Sequence, residues 1–318
     1  MSKSLMTFQD FQEHAATDKA AAIKRLVEEW MLGDIYRTAC QADEYDAQRN
    51  PFIRNYVHTI LSLTGEPLVD FTASNNKISS NYFRRLNIQR CTYSLGNGIS
   101  FDKKGVKEKL GKRADTRIKQ AGYFGLIHGV SFLYVGDGLH LFKATGFAPL
   151  FDETDGVLRA GARFWRLAPD KPMTVVFYEE DGKTKYAQEN DQGPLVETQA
   201  KEKYRKITAT SKMFGTEVVG EENWLVGEEK KPVLPIVPVW GSELHQSTLV
   251  GMKEKIDCFD LVRSGFANDL SDVAEIYWLV ENYGGMRDED LQRFRDRVKL
   301  NHIASVDTSQ GGKVTPYK

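Results

Sequence analysis

The sequence predicts an α+β fold with a helical first third, a β-rich antiparallel middle and a long helix after it. Apolar residues recur at helical spacing up to about residue 121 and alternate at strand spacing between about residues 122 and 240. A stretch without proline then follows over residues 248–281. The 318 residues are 41% hydrophobic, which is enough for one large core or two smaller ones.

The helices of the first third are predicted from caps and apolar spacing. Thr17 and Asp18 can cap a helix whose apolar face covers residues 22–30. Asn50 and Pro51 interrupt the pattern, because a residue before proline avoids the helical conformation. Further helices are predicted over residues 35–45, 52–63, 75–95 and 101–121.

The strands of the middle part are predicted from alternation and glycine turns. Residues 130–135 form a strand candidate, and Gly136-Asp137-Gly138 is a hairpin turn into residues 139–143. Residues 231–240 contain three prolines, which exclude a helix and disfavour a central strand, so a stiff connector is predicted there. The other predicted strands cover residues 163–167, 173–178, 184–187 and 195–210.

The long helix over residues 248–281 carries a near-heptad apolar seam and measures about 50 Å at ~1.5 Å per residue. A helix with no antiparallel neighbour in the sequence must pack on another chain or on a segment outside this sequence. Gly284-Gly285 ends it, a short helix is predicted over 288–299, and strands over 304–307 and 313–317. The seam consists of Ile256, Phe259, Arg263, Phe266, Leu270, Val273, Tyr277 and Val280.

Composition and motifs argue against an enzyme. The 43 basic and 44 acidic residues nearly cancel, unlike the strong positive charge of proteins that grip nucleic acid tightly. The three cysteines and six histidines show no metal-ligand spacing, and the cysteine usage suits a reducing compartment. Residues 105–112 lack the spacing of a phosphate loop, and no nucleophile elbow occurs. No catalytic residue, metal or cofactor is therefore predicted, and neither is a signal peptide or membrane span.

Local charge is uneven. Residues 84–119 hold eleven bases and three acids, a balance of +8 that predicts either a phosphate- or acid-facing surface or a solvated helical face. Residues 252–281 hold seven acids and three bases, a balance of −4 that predicts either a solvated face or a wall repelling DNA. The candidate basic surface consists of Arg84, Arg85, Lys103, Lys104, Lys107, Lys112, Arg113, Arg117 and Lys119.

Several strings occur in the same order as in portal proteins of long-tailed phages of Gram-positive hosts, and the chain resembles that family over most of its length. Each string alone is weak, and their shared order carries the resemblance. The strings include Tyr93 to Phe101, Phe164 to Leu167, Trp240-Gly241-Ser242, Lys255 to Asp260, Ser264 to Leu270 and Asn282 to Met286.

The resemblance implies a ring of about twelve subunits at one capsid vertex of a virion assembled in the bacterial cytoplasm. It implies a wing domain over 1–240, a stem helix over 241–281 and an incomplete clip over 282–318. In the family a second stem helix, a channel loop and a crown follow. The implied partners are other copies of the chain, double-stranded DNA without sequence specificity, terminase, scaffold, major capsid and head–tail adaptor proteins, with no membrane.

The resemblance also assigns candidate site residues. Those of the channel or of contacts between subunits along the stem are Lys253, Asp257, Asp260, Arg263, Asp269, Asp272 and Glu275. Those for docking at the clip are Arg287, Arg293, Arg295, Arg297 and Lys299. The alternatives are another structural phage protein, such as a minor capsid or tail-adaptor subunit, and a DNA-processing enzyme, which would need clustered acids for metals or a phosphate loop.

Overall fold

The computed structural model describes residues 6–61, 65–70, 73–136, 138–190, 193–211, 215–223, 233–273, 277–281, 289, 292–293 and 313–317. The chain forms two compact units. The first unit contains Met1–Ala47 and Asn81–Met252, and the second contains Gln48–Ser80 and Lys253–Lys318. The chain therefore passes from one unit to the other three times. This division differs from the predicted wing, stem and clip, which stay a prediction.

The secondary structure mixes helices with antiparallel strands, as the sequence predicts. The helices are α1 (Phe8–Ala15), α2 (Lys19–Leu32), α3 (Asp34–Asp46), α4 (Pro51–Arg54), α5 (Tyr82–Leu95), α6 (Val106–Lys109), α7 (Ala114–His128) and α8 (Lys253–Val273). The strands are β1 (Thr59–Leu61), β2 (Pro67–Val69), β3 (Val130–Gly136), β4 (Gly138–Lys143), β5 (Phe147–Phe151), β6 (Leu158–Arg166), β7 (Met173–Glu179), β8 (Gly182–Gln188), β9 (Val196–Glu202), β10 (Arg205–Ser211), β11 (Gly215–Glu222), β12 (Ile236–Trp240), β13 (Tyr277–Glu281) and β14 (Lys313–Tyr317).

Two antiparallel sheets organise the first unit. Strands β5 to β9 pair in chain order as a five-stranded meander, and the order of the three-stranded sheet is β12-β3-β4. The β3–β4 hairpin and the β-rich middle are confirmed. The predicted connector contains the edge strand β12, where Pro238 stands opposite Phe132 of β3. An edge position tolerates proline because one side of the strand needs no ladder hydrogen bonds.

The N-terminal helices of the first unit pack on these sheets. The Asp18 side chain accepts a hydrogen bond from the Ala21 amide at 3.1 Å, so the predicted cap of α2 is confirmed. Trp30 of α2 is buried and its indole nitrogen donates to the Ala144 carbonyl at 2.8 Å. The ring centroids of Phe11 and Phe177 lie 5.0 Å apart. Burial of these large rings joins the helices to the five-stranded sheet in one core.

A close backbone approach joins α7 to the residue after β12. A methyl group on Gly241 would overlap the backbone of Gly125 and would lie 2.6 Å from the Leu126 Cα atom. A methyl group on Gly125 would lie 2.9 Å from the Val239 carbonyl oxygen. Both positions need glycine because any Cβ atom would force the helix and the strand apart.

The second unit contains α4, the β1–β2 hairpin, an extended segment over residues 73–80, α8 and the β13–β14 pair. Its strands β13 and β14 pair antiparallel, with Tyr277 opposite Tyr317 and Glu281 opposite Lys313. The predicted strand over residues 313–317 is therefore confirmed. The predicted strand over 304–307 and most of the predicted helix over 288–299 lie outside the described residues.

Four predicted helices are wrong in part. Helix 52–63 ends at Arg54 and gives way to β1, helix 75–95 starts only at Tyr82, and helix 101–121 is replaced by α6 and α7. The long helix begins at Lys253 and ends by Val273, so Tyr277 and Val280 of the predicted seam belong to β13 instead. For residues 76–80 and for β13 a partner distant in sequence, α8 and β14 respectively, satisfies the backbone in another conformation, whereas β1 pairs with the nearby β2.

Candidate functional site

Helix α8 of the second unit holds an extended segment, residues 76–80, by hydrogen bonds from that segment's backbone. Four polar residues of α8 lie on one face and form a polar stripe: Asp260, Ser264, Asn268 and Ser271. The Ser80 amide donates to Asp260 Oδ1 at 3.0 Å, and the Ile78 amide donates to Ser264 Oγ at 3.0 Å. The Asn76 amide donates to Asn268 Oδ1 at 2.6 Å, and its side-chain amide donates to Ser271 Oγ at 3.3 Å.

The spacing of the two partners explains this arrangement. Four helical residues rise about 6 Å along the axis, and two extended residues span about 6.6 Å. Every second amide of the extended segment therefore meets the next residue of the polar stripe. The pattern replaces the ladder hydrogen bonds that an extended segment would otherwise need from a neighbouring strand.

Asp260 lies at the buried end of the contact between α8 and residues 76–80. It has no exposed surface, and it also accepts a hydrogen bond from the side-chain amide of Asn50. Asn50 donates in addition to the Ser80 carbonyl at 3.2 Å. The prediction that Asp260 faces a channel or a neighbouring subunit is therefore wrong, because both of its oxygens are used inside its own unit.

The opposite side of α8 exposes large apolar residues. Val262, Phe266 and Leu270 are 66%, 65% and 57% exposed, and Phe259 is 40% exposed. We call these four residues the apolar stripe. Ile256, the first residue of the predicted seam, is buried. Large apolar side chains are rarely left in water as a contiguous row unless another surface covers them.

The other predicted stem residues are not brought together as a set. Lys253 Nζ lies 2.6 Å from the largely buried Asp257 carboxylate, in a pair within the helix. Arg263 and Asp269 are exposed, and Asp269 lies on the side of the helix opposite Asp260. Asp272 lies on α8 with a side chain outside the described part of the structure, and Glu275 lies outside it entirely.

The predicted docking residues of the clip lie mostly outside the described part of the chain. Arg293 is exposed. Nothing in the described residues bears on Arg287, Arg295, Arg297 and Lys299.

The predicted basic surface lies in the first unit on α5, α6, α7 and their connections. Seven of its nine residues are exposed, and Arg117 and Lys119 are half-buried. Lys107 pairs with the Asp115 carboxylate at 2.6 Å, and the Arg117 guanidinium donates to the Gln120 side chain at 3.1 Å. The hydrogen bond from Lys107 lowers the pKa of Asp115. The exposed residues are Arg84, Arg85, Lys103, Lys104, Lys107, Lys112 and Arg113.

A groove between α5 and α7 interrupts the basic surface. Its volume is about 250 Å³, and its floor includes Ile88, Cys91 and Tyr123. The Tyr123 hydroxyl donates to Asp46, so the phenol presents its ring to the groove and not a free hydroxyl. Burial raises the pKa of Cys91, against the opposing charge of Lys119, and keeps the thiol neutral. The sequence predicted the bases around the groove but not its apolar floor.

The acid–histidine pair of the first unit is structural. His128 Nε2 lies 2.9 Å from Asp43 Oδ1, and the His128 side chain has no exposed surface. Burial opposes ionisation of Asp43, but the hydrogen bond from His128 and the charges of His128 and Lys143 hold its pKa below the usual value. Burial also raises the pKa of the nearby Cys40 thiol. The His128 ring is enclosed and its Nε2 is used by Asp43, so the imidazole is not accessible to a substrate.

The described residues also bear on metals and membranes. Among them, no group of three or more histidine, cysteine or acidic side chains is placed to hold a metal ion. In the same part of the chain, no helix combines the length and the apolar character needed to cross a membrane.

Comparison with known proteins gives a partial match. Part of this chain is similar to a bacteriophage portal protein. Over 108 residues it is 32% identical to the portal protein of Clostridium phage phiCD119. The match covers 34% of this chain and 23% of that protein, so the chain spans less than a quarter of its relative in the aligned region. No protein-family model matches the sequence.

This similarity supports a structural role in a bacteriophage. It also agrees with the resemblance to phage portal proteins that the ordered strings of the sequence indicate. The mixed helical and antiparallel fold is compatible with a portal-like domain.

Proposed function

We propose that this chain is a subunit of a phage portal, a ring at one capsid vertex through which DNA enters and leaves the head. The observation that carries the proposal is the 32% identity over 108 residues to the portal protein of a Clostridium phage. The match covers a minor part of both chains, so the ring, the channel and the partners are parts of the proposal and not of the match.

The apolar stripe of α8 supports an assembled state. Its three most exposed members, Val262, Phe266 and Leu270, recur at steps of four residues, as expected of a helix that packs along a neighbour. In a ring, each subunit uses one surface to contact the next subunit and a different surface to contact the previous one. We infer that the apolar stripe faces a neighbouring subunit, where water would be excluded from it.

The remaining roles follow from the same proposal. The domains are the wing (1–240), the stem (241–281) and the clip (282–318). Asp269, Asp272 and Glu275 would line the channel or pair between neighbouring stem helices, and acidic side chains in the channel would repel phosphates and let the duplex slide. The arginines of the clip would dock the terminase motor and then the head–tail adaptors. Scaffold and major capsid proteins would contact the wing, and a separate ATPase would supply the force.

Electron microscopy of the product of the complete gene tests the proposal. The expected result is a closed ring with an axial hole at least as wide as a DNA duplex, whose diameter is about 20 Å. Particle symmetry would then count the subunits. A product that stays monomeric at every concentration would overturn the ring and leave the phage structural role in place.

The alternatives give distinct results in the same preparation. A minor capsid or tail-adaptor protein would be monomeric alone and would bind purified capsids or tails. A DNA-processing enzyme would nick or cut plasmid DNA in the presence of Mg²⁺, which a portal subunit does not do.

A further inference from the structure

The groove between α5 and α7 combines an apolar floor with a cationic rim. At about 250 Å³ it is smaller than the roughly 300–1,000 Å³ of sites that enclose small molecules. A volume of this size suits one large side chain of a bound partner.

The floor of the groove is neutral and poor in free polar groups. Ile88 is 44% exposed although it is a large aliphatic residue, and it lies beside the buried Cys91. The Cys91 thiol donates to the Lys119 carbonyl at 3.3 Å, and the Tyr123 hydroxyl donates to Asp46. Because these polar atoms are already used, an apolar side chain in the groove would leave none of them without a partner.

The rim carries uncompensated positive charge. Within the described part of the chain, neither the Arg84 guanidinium nor the Lys119 ammonium has a carboxylate within 4.0 Å. Lys107, by contrast, is paired with Asp115 inside the chain. The surrounding residues 84–119 have a net charge of +8. A partner that supplies carboxylates would therefore find cations that are not already neutralised.

We propose that this groove binds an acidic protein segment, which inserts one large apolar side chain over Ile88 and places carboxylates against Arg84 and Lys119. A nucleic acid fits less well. The chain as a whole has a net charge of −1, and the groove offers an apolar pocket for one side chain instead of a row of cations along a backbone. The proposal stands on this geometry and does not depend on ring formation.

Selection from a library of short random peptides displayed on yeast tests the proposal. The wild-type chain is the target. Counter-selection against the variant with Arg84→Glu and Lys119→Glu removes peptides that bind elsewhere on the chain. The expected peptides carry aspartate or glutamate on both sides of one aromatic or large aliphatic residue. A representative peptide should bind the double variant roughly tenfold or more weakly, because two attractive charges become repulsive.

Two further variants separate the groove from general charge. Lys103→Glu with Lys104→Glu makes the same change of charge outside the groove lining, and binding should change by less than about threefold at physiological salt. Ile88→Ser changes no charge and should weaken binding through loss of the apolar floor. Far-ultraviolet circular dichroism and melting of each variant check that the first unit stays folded.

Three results would overturn the proposal. The selection would yield no enrichment of acidic residues, or the enriched peptides would bind wild type and the groove variants equally. A short DNA duplex would bind more tightly than any selected peptide, with the same dependence on Arg84 and Lys119, and the groove would then belong to a nucleic-acid surface. None of these results bears on whether the chain assembles into rings.

Discussion

Asp260 is a fully buried carboxylate whose partners are the Ser80 amide and the Asn50 side chain. Replacing it with alanine leaves two buried donors unpaired, at about 1–3 kcal/mol each. We expect Asp260→Ala to destabilise the second unit by about 2–6 kcal/mol. Hydrogen exchange by NMR should show the Ser80 amide exchanging roughly 30-fold faster or more, since 1.4 kcal/mol corresponds to a tenfold change.

Ser80→Ala is the matched control for this prediction. Ser80 contributes its backbone amide to Asp260, and its buried hydroxyl has no hydrogen-bond partner in the described part of the chain. The alanine variant should therefore keep the slow exchange of the wild-type amide at residue 80. Equal exchange in Asp260→Ala and in wild type would mean that Asp260 does not hold the extended segment.

Tyr204 links stability to alkaline pH. Burial is the largest cause that raises its pKa above the usual value, and the neighbouring Tyr134 and Tyr178 add to it. The hydroxyl donates to the Gly182 carbonyl at 2.9 Å, which requires the proton. In the unfolded chain the phenol ionises near pH 10, so stability is fully present below about pH 10 and is lost as pH rises toward the folded pKa.

We expect Tyr204→Phe to flatten this loss. The variant lacks the buried phenol, so its free energy of unfolding should start about 1 kcal/mol lower at neutral pH and fall less steeply above about pH 10. Urea unfolding across this pH range, followed by circular dichroism, gives both slopes. If the two proteins lose stability with the same slope, Tyr204 does not carry the alkaline linkage.

At the scale of elements, Gly241 lets α7 and the end of β12 meet at the backbone. We expect Gly241→Ala to destabilise the first unit by about 2–4 kcal/mol, because the methyl group would overlap backbone atoms that cannot move away independently. Gly251→Ala is the control, since a methyl group there meets no atom within 4 Å. Thermal melting of the two variants should differ by several degrees. Similar melting of both would contradict the close approach.

Local signals were sufficient for the elements whose partners are near in sequence. The caps, the glycine turns and the alternating residues of the middle part predict α2 and most of the meander, because each strand pairs with the next one. They fail for residues 76–80 and for β13, whose partners are distant. The amides of Asn76, Ile78 and Ser80 bond to α8, 180 or more residues later, so a segment with helical spacing is extended. Strand β13 likewise depends on β14.

At the scale of sites, charge was visible in the sequence and burial was not. The run of bases over residues 84–119 predicted a basic surface, and most of those residues are exposed. The groove depends on Ile88 and Tyr123 coming together from two helices, which no spacing within either helix reports. For Asp260 the signal was available in the recurrence of polar residues at 260, 264, 268 and 271, one face of one helix.

At the scale of the whole molecule, assembly should depend on the apolar stripe. We expect Val262→Asp with Phe266→Asp to shift the protein from ring to monomer, because each change places a charge in the proposed contact between subunits. Both residues are largely exposed, so the helix content of the monomer should stay unchanged. Mass photometry gives the particle masses.

Lys255→Glu is the comparison for this experiment. Lys255 is exposed on the same helix, and its replacement changes the charge by the same two units while leaving the apolar stripe intact. Rings should persist in this variant at physiological salt. Rings that survive in the aspartate variant would show that the stripe is not covered by a neighbouring subunit.

The hydrogen bonds between residues 76–80 and α8 also affect the order in which parts of the chain can fold. Ser80 leaves the ribosome 180 residues before Asp260, a delay of about 9–36 s at 5–20 residues per second. During that interval the nascent chain contains the strands of the meander, each next to its partner in sequence, while the extended segment has no acceptors. The first unit can therefore fold during translation, and the second unit waits for the ribosome to reach its helix.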